Sequence, residues 1–378
     1  MIVYFDNAAT TRLSDEVLEE MKPYLQEEYG NPSAMYSLGK KTKKAIEAAR
    51  ERVAAAIGAE PEEIYFTSGG SESDNWAVRG TAFALKRWGR HIITSSIEHP
   101  AVYNTCKKLE REKFLVNYLP VDEFGKIRKQ DFIDSLRPDT ILASIMTANN
   151  EIGTIEPVEE LATIAHERGI VFHTDAVQAI GHVKFNMQYS NIDLLSLSGH
   201  KFHAPKGIGA LYIRKDTETE RLICGGEQER NLRAGTENVA GIVGLGKAIE
   251  IASSAHDDNT YVCGLRNKLA SRIFAEIQNV HMNGDTVNGL PNILSVSFKG
   301  VESEALLLRL DMQGICASAG SACMTGSFEP SRTLQSINVP DVYAYGTVRF
   351  SLSKYNTAEE VDYVVDKLKS IIQDLRKE

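Results

Sequence analysis

The chain has 378 residues, of which 43% are hydrophobic, and a formal net charge of −9. That is enough apolar material for a sizeable core and, by length, for two or so domains. The negative balance argues against a nucleic-acid surface, which needs clustered Lys and Arg, and no run is long and apolar enough to span a bilayer.

The N-terminus carries no signal-peptide pattern, and the five cysteines are an odd number without paired spacing, so a cytoplasmic location is expected. The basic run Lys40-Lys41-Thr42-Lys43-Lys44 reads as the solvated start of an amphipathic helix. Ile46, Ala49, Val53 and Ile57 supply its buried stripe, and Gly58 stops it. A strand, Ile64 to Thr67, then runs into Ser68-Gly69-Gly70-Ser71-Glu72-Ser73, with a helix predicted over 75–85. Glycines let a backbone approach an anion, and a helix N-terminus offers free N–H groups, so this turn suits a monophosphate. It is neither a Walker A loop nor a G-x-G-x-x-G fingerprint, and a plain strand-to-helix turn is the alternative.

The strand over 91–96 leads to Glu98-His99-Pro100, where His99 could stack on a cofactor ring, move protons or be structural. Further apolar strands follow at 141–146, 171–175, 194–198 and 208–213. Their alternation with helix-like segments from about 40 to 255 predicts an α/β domain around a mostly parallel sheet. Asp175 ends one strand and Lys201 lies just past another. In parallel α/β sheets, ligands bind outside the carboxyl ends of strands, so these two should face one crevice. An unpaired buried ammonium is costly, and burial favours the neutral, nucleophilic amine. Pyridoxal phosphate (PLP) needs such a lysine for its aldehyde and a carboxylate for its pyridinium nitrogen. Taken singly, Lys201 could snorkel to solvent and Asp175 could cap a helix.

A connecting helix is expected over 239–252, and the polar run His256-Asp257-Asp258-Asn259 marks a boundary. The remainder reads as a smaller α+β domain. Its strands at 293–298 and 348–353 alternate with period two, and Arg349 on the second can grip a carboxylate or form a structural ion pair. The last helix shows capping-box spacing at Thr357 and Glu360, with Val361, Val364, Leu368, Ile371 and Leu375 on its buried face. Residues 319–333 are small and polar and should form a mobile loop with Cys323 exposed in it. Cys106, Cys263, Cys316 and Cys224 are expected to be structural. No C-x-x-C or H-E-x-x-H occurs, so no metal site is expected.

Several motifs together resemble the cysteine desulfurases of the NifS/IscS type, within the class V aminotransferase-like, fold-type I PLP enzymes. They are Ser198-Gly199-His200-Lys201, Thr174-Asp175-Ala176-Val177-Gln178, Ala148-Asn149-Asn150-Glu151-Ile152-Gly153, Glu98-His99-Pro100, the opening Tyr4 to Thr11, and Ser318 to Cys323 followed by Glu329-Pro330-Ser331. The resemblance runs from about residue 3 to the closing helix. It implies a large PLP-binding domain over 16–255, and a small domain built from 1–15 and 256–378 that carries the cysteine loop.

It also implies roles. Lys201 holds the cofactor aldehyde and Asp175 its ring nitrogen. Gln178 and Asn150 serve the ring hydroxyl region, and His99 stacks on the ring. Gly70, Ser71, Ser198 and His200 bind the phosphate, with Thr236 reaching the phosphate of the other subunit of a homodimer. Arg349, with Asn150, holds the substrate. L-cysteine would become alanine, with its sulfur left on Cys323 as a persulfide. An acceptor such as an iron–sulfur scaffold or tRNA-thiolation protein would then collect that sulfur. Tyr36, Glu227 and Asn231 depart from the family's pattern, the first replacing a histidine and the others glycines. A selenocysteine lyase, another PLP-dependent β-lyase and an inactive scaffold with the same fold are the alternatives.

Overall fold

A computed structural model describes residues 2–254, 256–319 and 329–377. The expected loop residue Cys323 lies outside the described residues.

The strands in chain order are β1 (Val3–Tyr4), β2 (Ile64–Thr67), β3 (His91–Ser95), β4 (Leu115–Leu119), β5 (Thr140–Ser144), β6 (Val171–Asp175), β7 (Leu194–Ser198), β8 (Gly209–Ile213), β9 (Val280–Asn283), β10 (Ile293–Phe298), β11 (Ile315–Cys316) and β12 (Thr347–Ser351). Seven form one sheet in the order β2-β8-β7-β6-β5-β3-β4. All its neighbours are parallel except β8, which runs against both β2 and β7. This is the mostly parallel α/β architecture expected of a fold-type I enzyme. The inner strands β3, β5, β7 and β8 are buried along their whole length. That is why they read as near-continuous apolar runs, whereas the edge strand β4 alternates exposed and covered positions.

Helix Ser37–Ile57 packs its Ile46, Ala49, Val53 and Ile57 stripe inward, and Gly58 ends it at φ 64°, a left-handed position glycine adopts without strain. A second apolar cluster joins Val3 and Phe5 to helix His256–Glu276, β10, β12 and the closing helix Ala358–Leu375. The first strand therefore lies against the last third of the chain, paired in parallel with β11.

The polar run at 256 opens helix His256–Glu276. The structure differs from the sequence expectations in two places. The helix expected from 75 starts at Gly70 and continues through a π-helical turn, Trp76–Gly80, to Thr81–Leu85. The alternation in β10 and β12 marks no solvent face, because both strands are wholly buried. Their hydroxyls form a buried seam instead. Asn283 Nδ2 donates to Ser295 Oγ at 3.1 Å and Ser297 Oγ at 2.9 Å, and Ser297 meets Thr347 at 2.7 Å. A polar group inside a core is tolerated when hydrogen-bonded. Among the described residues, no helix is long and apolar enough to cross a membrane.

Candidate active site

Asp175 is the last residue of β6, and Ser198 the last of the adjacent β7. The chain leaves β7 through a 3-10 turn, Gly199–Lys201, which carries Lys201 to the same sheet edge. A cleft of about 560 Å³ opens there, within the range of small-ligand sites. Lys201, Asp175, His99, Gly70, Ser71, Asn150, Gln178, Ser198, His200 and Arg349 all line it. Thr236 is exposed and does not line it.

Lys201 Nζ donates to the carbonyls of Ala8 and Ala9 at 2.7 and 2.8 Å. Gln178 Nε2 donates to the same Ala8 carbonyl at 2.9 Å. The N-terminal segment is thus drawn across the sheet edge. Asp175 Oδ1 accepts the Val177 N–H at 2.9 Å. Burial raises the Asp175 pKa, while His99, that N–H and Lys201 pull it back down. His99 Nδ1 accepts the Ala101 N–H at 3.1 Å, which puts the proton of the neutral ring on Nε2. Burial, opposed by Asp175 but helped by Lys201 and Arg332, lowers its pKa, so the ring is neutral at pH 7.

The strand-to-helix turn after β2 forms an anion cradle. Gly69 sits at φ +149°, which an L side chain rarely adopts, and a Cβ on Gly70 would lie 2.7 Å from Val177 Cγ2. The backbone can therefore press close to the end of β6. Helix Gly70–Asn75 opens without a side-chain cap, so its first-turn N–H groups are not taken up by one. Ser198 abuts Gly69 across the turn. His200 shares a 3.1 Å hydrogen bond with Thr10 Oγ1, and burial lowers its pKa to about 4.

Arg349, on β12 and 2% exposed, also lines the cleft. It donates to the Asn150 carbonyl and to Asp6 Oδ1, both at 2.8 Å. Both contacts tie the third strand of the smaller sheet to the cleft.

Of the cysteines expected to be structural, Cys106 is buried and its thiol is pushed up to about 12. Cys263 and Cys316 are half-buried, and Cys224 is exposed. Tyr36 is the exposed N-cap residue of helix Ser37–Ile57. Asn231 has φ 67°, so the glycine usual there reflects a left-handed position that asparagine tolerates. Nearby, the buried Glu229 accepts both guanidinium nitrogens of Arg50 at 2.8 Å and the Phe66 N–H at 2.8 Å, fixing this segment to β2.

Sequence reasoning missed four groups here. The Ala8 and Ala9 carbonyls hold Lys201 by backbone alone. Asp74, in the helix after the cradle, is buried beside Asp175. Glu98 is buried and accepts from Ser95 Oγ at 2.6 Å and Met146 N–H at 3.0 Å, its pKa raised to about 8 by burial. Arg332 donates to the Ser96 carbonyl at 2.7 Å and to the Glu98 carbonyl, on the turn that carries His99.

An amine, a buried carboxylate and an anion cradle around one cleft form a donor set that fits PLP. The aminotransferase class-V family model matches residues 3–364. A cysteine desulfurase IscS of Dictyoglomus turgidum is 53% identical over 375 residues, covering 99% of this chain and 95% of that protein. The IscS of Methanosarcina thermophila is also 53% identical over 375 residues, covering 99% of this chain and 93% of its own. A solved NifS-like protein superposes with a TM-score of 0.94 at 42% identity, covering 99% of this chain and all of the other. Family model, relatives and fold agree along nearly the full length: the chain belongs to the aminotransferase class-V family.

Proposed function

We propose that this protein is a PLP-dependent cysteine desulfurase. The observation that carries the proposal is the convergence of Lys201, Asp175, His99 and Arg349 on one cleft, in a chain 53% identical to cysteine desulfurases. Bound at Lys201, PLP supplies an electron sink for charge developing at the cysteine α-carbon. Asp175 faces the ring nitrogen as a carboxylate. The cradle of Gly70, Ser71, Ser198 and His200 holds the phosphate, and Gln178 and Asn150 serve the ring hydroxyl side.

Arg349 grips the substrate α-carboxylate through parallel hydrogen bonds. The freed Lys201 amine takes the α-proton. His99, with its proton on Nε2, would lie against the cofactor ring and could hand a proton into the cleft. Cys323, as thiolate, attacks the substrate sulfur. The carbon–sulfur bond breaks, its electron pair stays with carbon, and a proton completes alanine. Cys323 is left as the persulfide, whose outer sulfur passes to a thiol of an acceptor protein.

The same reading divides the chain into a large domain, 16–255, and a small one, 1–15 with 256–378. The separate apolar cluster shared by Val3, Phe5 and the C-terminal elements supports it. It also makes the active unit a homodimer, in which the exposed Thr236 serves the partner's phosphate.

The test is direct. With cysteine and no reductant, the peptide containing Cys323 should gain one sulfur atom as alanine appears. Lys201→Ala should cut alanine formation by a factor on the order of 10³ or more. Cys323→Ser should keep the cofactor's spectral response to cysteine yet release almost no sulfide. Wild-type turnover in either variant, or the extra sulfur on Cys224, rejects the assignment.

A further inference from the structure

Two carboxyl groups share the floor of the cleft. A carboxylate oxygen of Asp74, one of Asp175 and a ring nitrogen of His99 all lie within 4.8 Å of one another. Asp74 is 1% exposed and Asp175 4%. Two carboxylates this close in a dry site cannot both ionise without a cation between them. Among the described residues, no lysine or arginine pairs with Asp74. Its nearest basic group is His173 Nε2 at 3.7 Å.

His173 cannot supply the charge. Its ring is fully buried between Ser144 Oγ at 2.8 Å and Ser196 Oγ at 2.9 Å. Burial takes its pKa to about 3, so it stays neutral. Among the described residues, the other titratable groups near Asp74 are His99, neutral at pH 7, and two further acids, Asp175 and Glu98. Asp175 by contrast has what an anion needs: the Val177 N–H, and His99 and Lys201 facing it. Asp74 Oδ1, the oxygen 3.7 Å from His173 Nε2, has no hydrogen-bond partner, an expensive arrangement for a buried carboxylate oxygen. Burial and then the Asp175 charge raise its pKa well above its ordinary value, with a smaller push from Glu98 and against a hydrogen bond from the Ser196 side chain that lowers it.

We propose that Asp74 is a neutral carboxylic acid that positions Asp175: it leaves Asp175 the single negative charge on the cleft floor and offers that charge an O–H. The consequence for the cofactor rests on the proposed PLP reading. Asp175, kept ionised by a neutral neighbour, can pair with a protonated ring nitrogen.

The first measurement needs no cofactor. In infrared difference spectra at pH 7.5, apo-protein minus Asp74→Asn apo-protein should show a protonated-acid carbonyl band that shifts in D2O. Loss of carboxylate bands without an acid band overturns the proposal. The second measurement reads PLP affinity of the apo-proteins by fluorescence. Asp74→Asn keeps neutrality and a donor and should bind within about threefold of wild type. Asp74→Leu loses the donor and should bind about tenfold more weakly. The Leu variant's affinity should also fall away at higher pH on the acid side, because Asp175 without its donor protonates sooner. A PLP analogue with carbon in place of the ring nitrogen should bind all three proteins alike. Equal PLP affinity and acid limbs in wild type and Asp74→Leu overturn the positioning role. Should none of the proteins bind PLP while the acid band is present, the cofactor reading fails and the neutral acid stands. Should Asp74→Leu not fold, the band and the Asn variant still decide.

Discussion

The floor of the cleft and its far wall handle charge in opposite ways. On the floor, Asp74 and Asp175 lie together, with Glu98 and a neutral His173 behind them, and burial works against ionisation at each acid. On the wall, Arg349 spends a donor on the Asn150 carbonyl, and Arg332, which does not line the cleft, spends its own on the Ser96 and Glu98 carbonyls. A guanidinium cannot deprotonate in a protein, so it keeps its charge where a buried acid gives its own up. The difference teaches where each charge of an amino-acid substrate belongs. On the proposed reading, the floor would keep one anion for a ring nitrogen, while Arg349 would keep its positive charge for a carboxylate.

The sharpest way to break that contrast is at Arg349. It holds Asp6 and the Asn150 carbonyl and would share its fork with the substrate carboxylate. Lysine keeps the charge but has no planar fork, so the change is not conservative at a two-point contact. Arg349→Lys should raise the KM for cysteine by roughly 10- to 100-fold, as expected for hydrogen bonds to a charged group. The PLP affinity of the apo-protein should stay near wild type. Steady-state kinetics and a cofactor titration read both, and an unchanged KM would remove Arg349 from the substrate contact.

The floor is tested through stability. Burial lifts Glu98 from 4.5 to about 8, so the folded protein binds its proton more tightly than the unfolded chain does. Between those values the folded state carries the extra proton, and stability falls as pH rises. Glutamine keeps the oxygen that accepts from Ser95 and Met146 and cannot ionise. Glu98→Gln should therefore flatten the fall in unfolding free energy from pH 5 to 8, by roughly 2–4 kcal/mol for a fully buried acid with this raised pKa. Urea melts at several pH values measure the slope; parallel curves for the two proteins would show Glu98 ionised in the fold.

How much of this was legible in the sequence follows from which atoms do the work. Lys201 and Asp175 stood out because one follows and the other ends a buried strand, where charge is rare and sheet geometry says what it faces. The parallel sheet was legible because strands covered on both sides read as apolar runs. Asp74 was not legible. One polar residue on a helix looks like a solvated position, and its partner Asp175 is brought beside it only by the fold. The Ala8 and Ala9 carbonyls left no trace, since a main-chain oxygen has no sequence signature. The buried seam of Ser295, Ser297 and Thr347 misled outright, because period-two alternation looks the same whether the polar face meets water or a hydrogen-bonded partner. The departure from the family's glycines at Glu227 and Asn231 was visible, yet the left-handed backbone that Asn231 adopts is visible only in φ.

Arg332 offers the mildest perturbation of the arginine side of the comparison, through the turn that carries His99. It follows Glu329-Pro330-Ser331 and opens helix Arg332–Ser336, with Ser331 as the N-cap. Its guanidinium lies 3.5 Å over the Tyr103 ring, and its donors reach carbonyls on the turn just before His99. That turn also carries Glu98, so one side chain from the C-terminal part of the chain sets the entry to the helix His99 caps. Lysine at this position would keep a cation near the ring but could not serve both carbonyls or stack as a plane. The turn would loosen without losing its backbone, and His99 would be less well held over the cofactor. Arg332→Lys should therefore slow turnover several-fold, on the order of one lost hydrogen bond, with cofactor affinity intact. The acid limb of the pH–rate profile should move only if the lysine's charge sits farther from His99 than the guanidinium's, because the Arg332 charge helps to lower the His99 pKa. A uniform drop in rate with no change in the shape of that profile would make Arg332 a structural brace and nothing more.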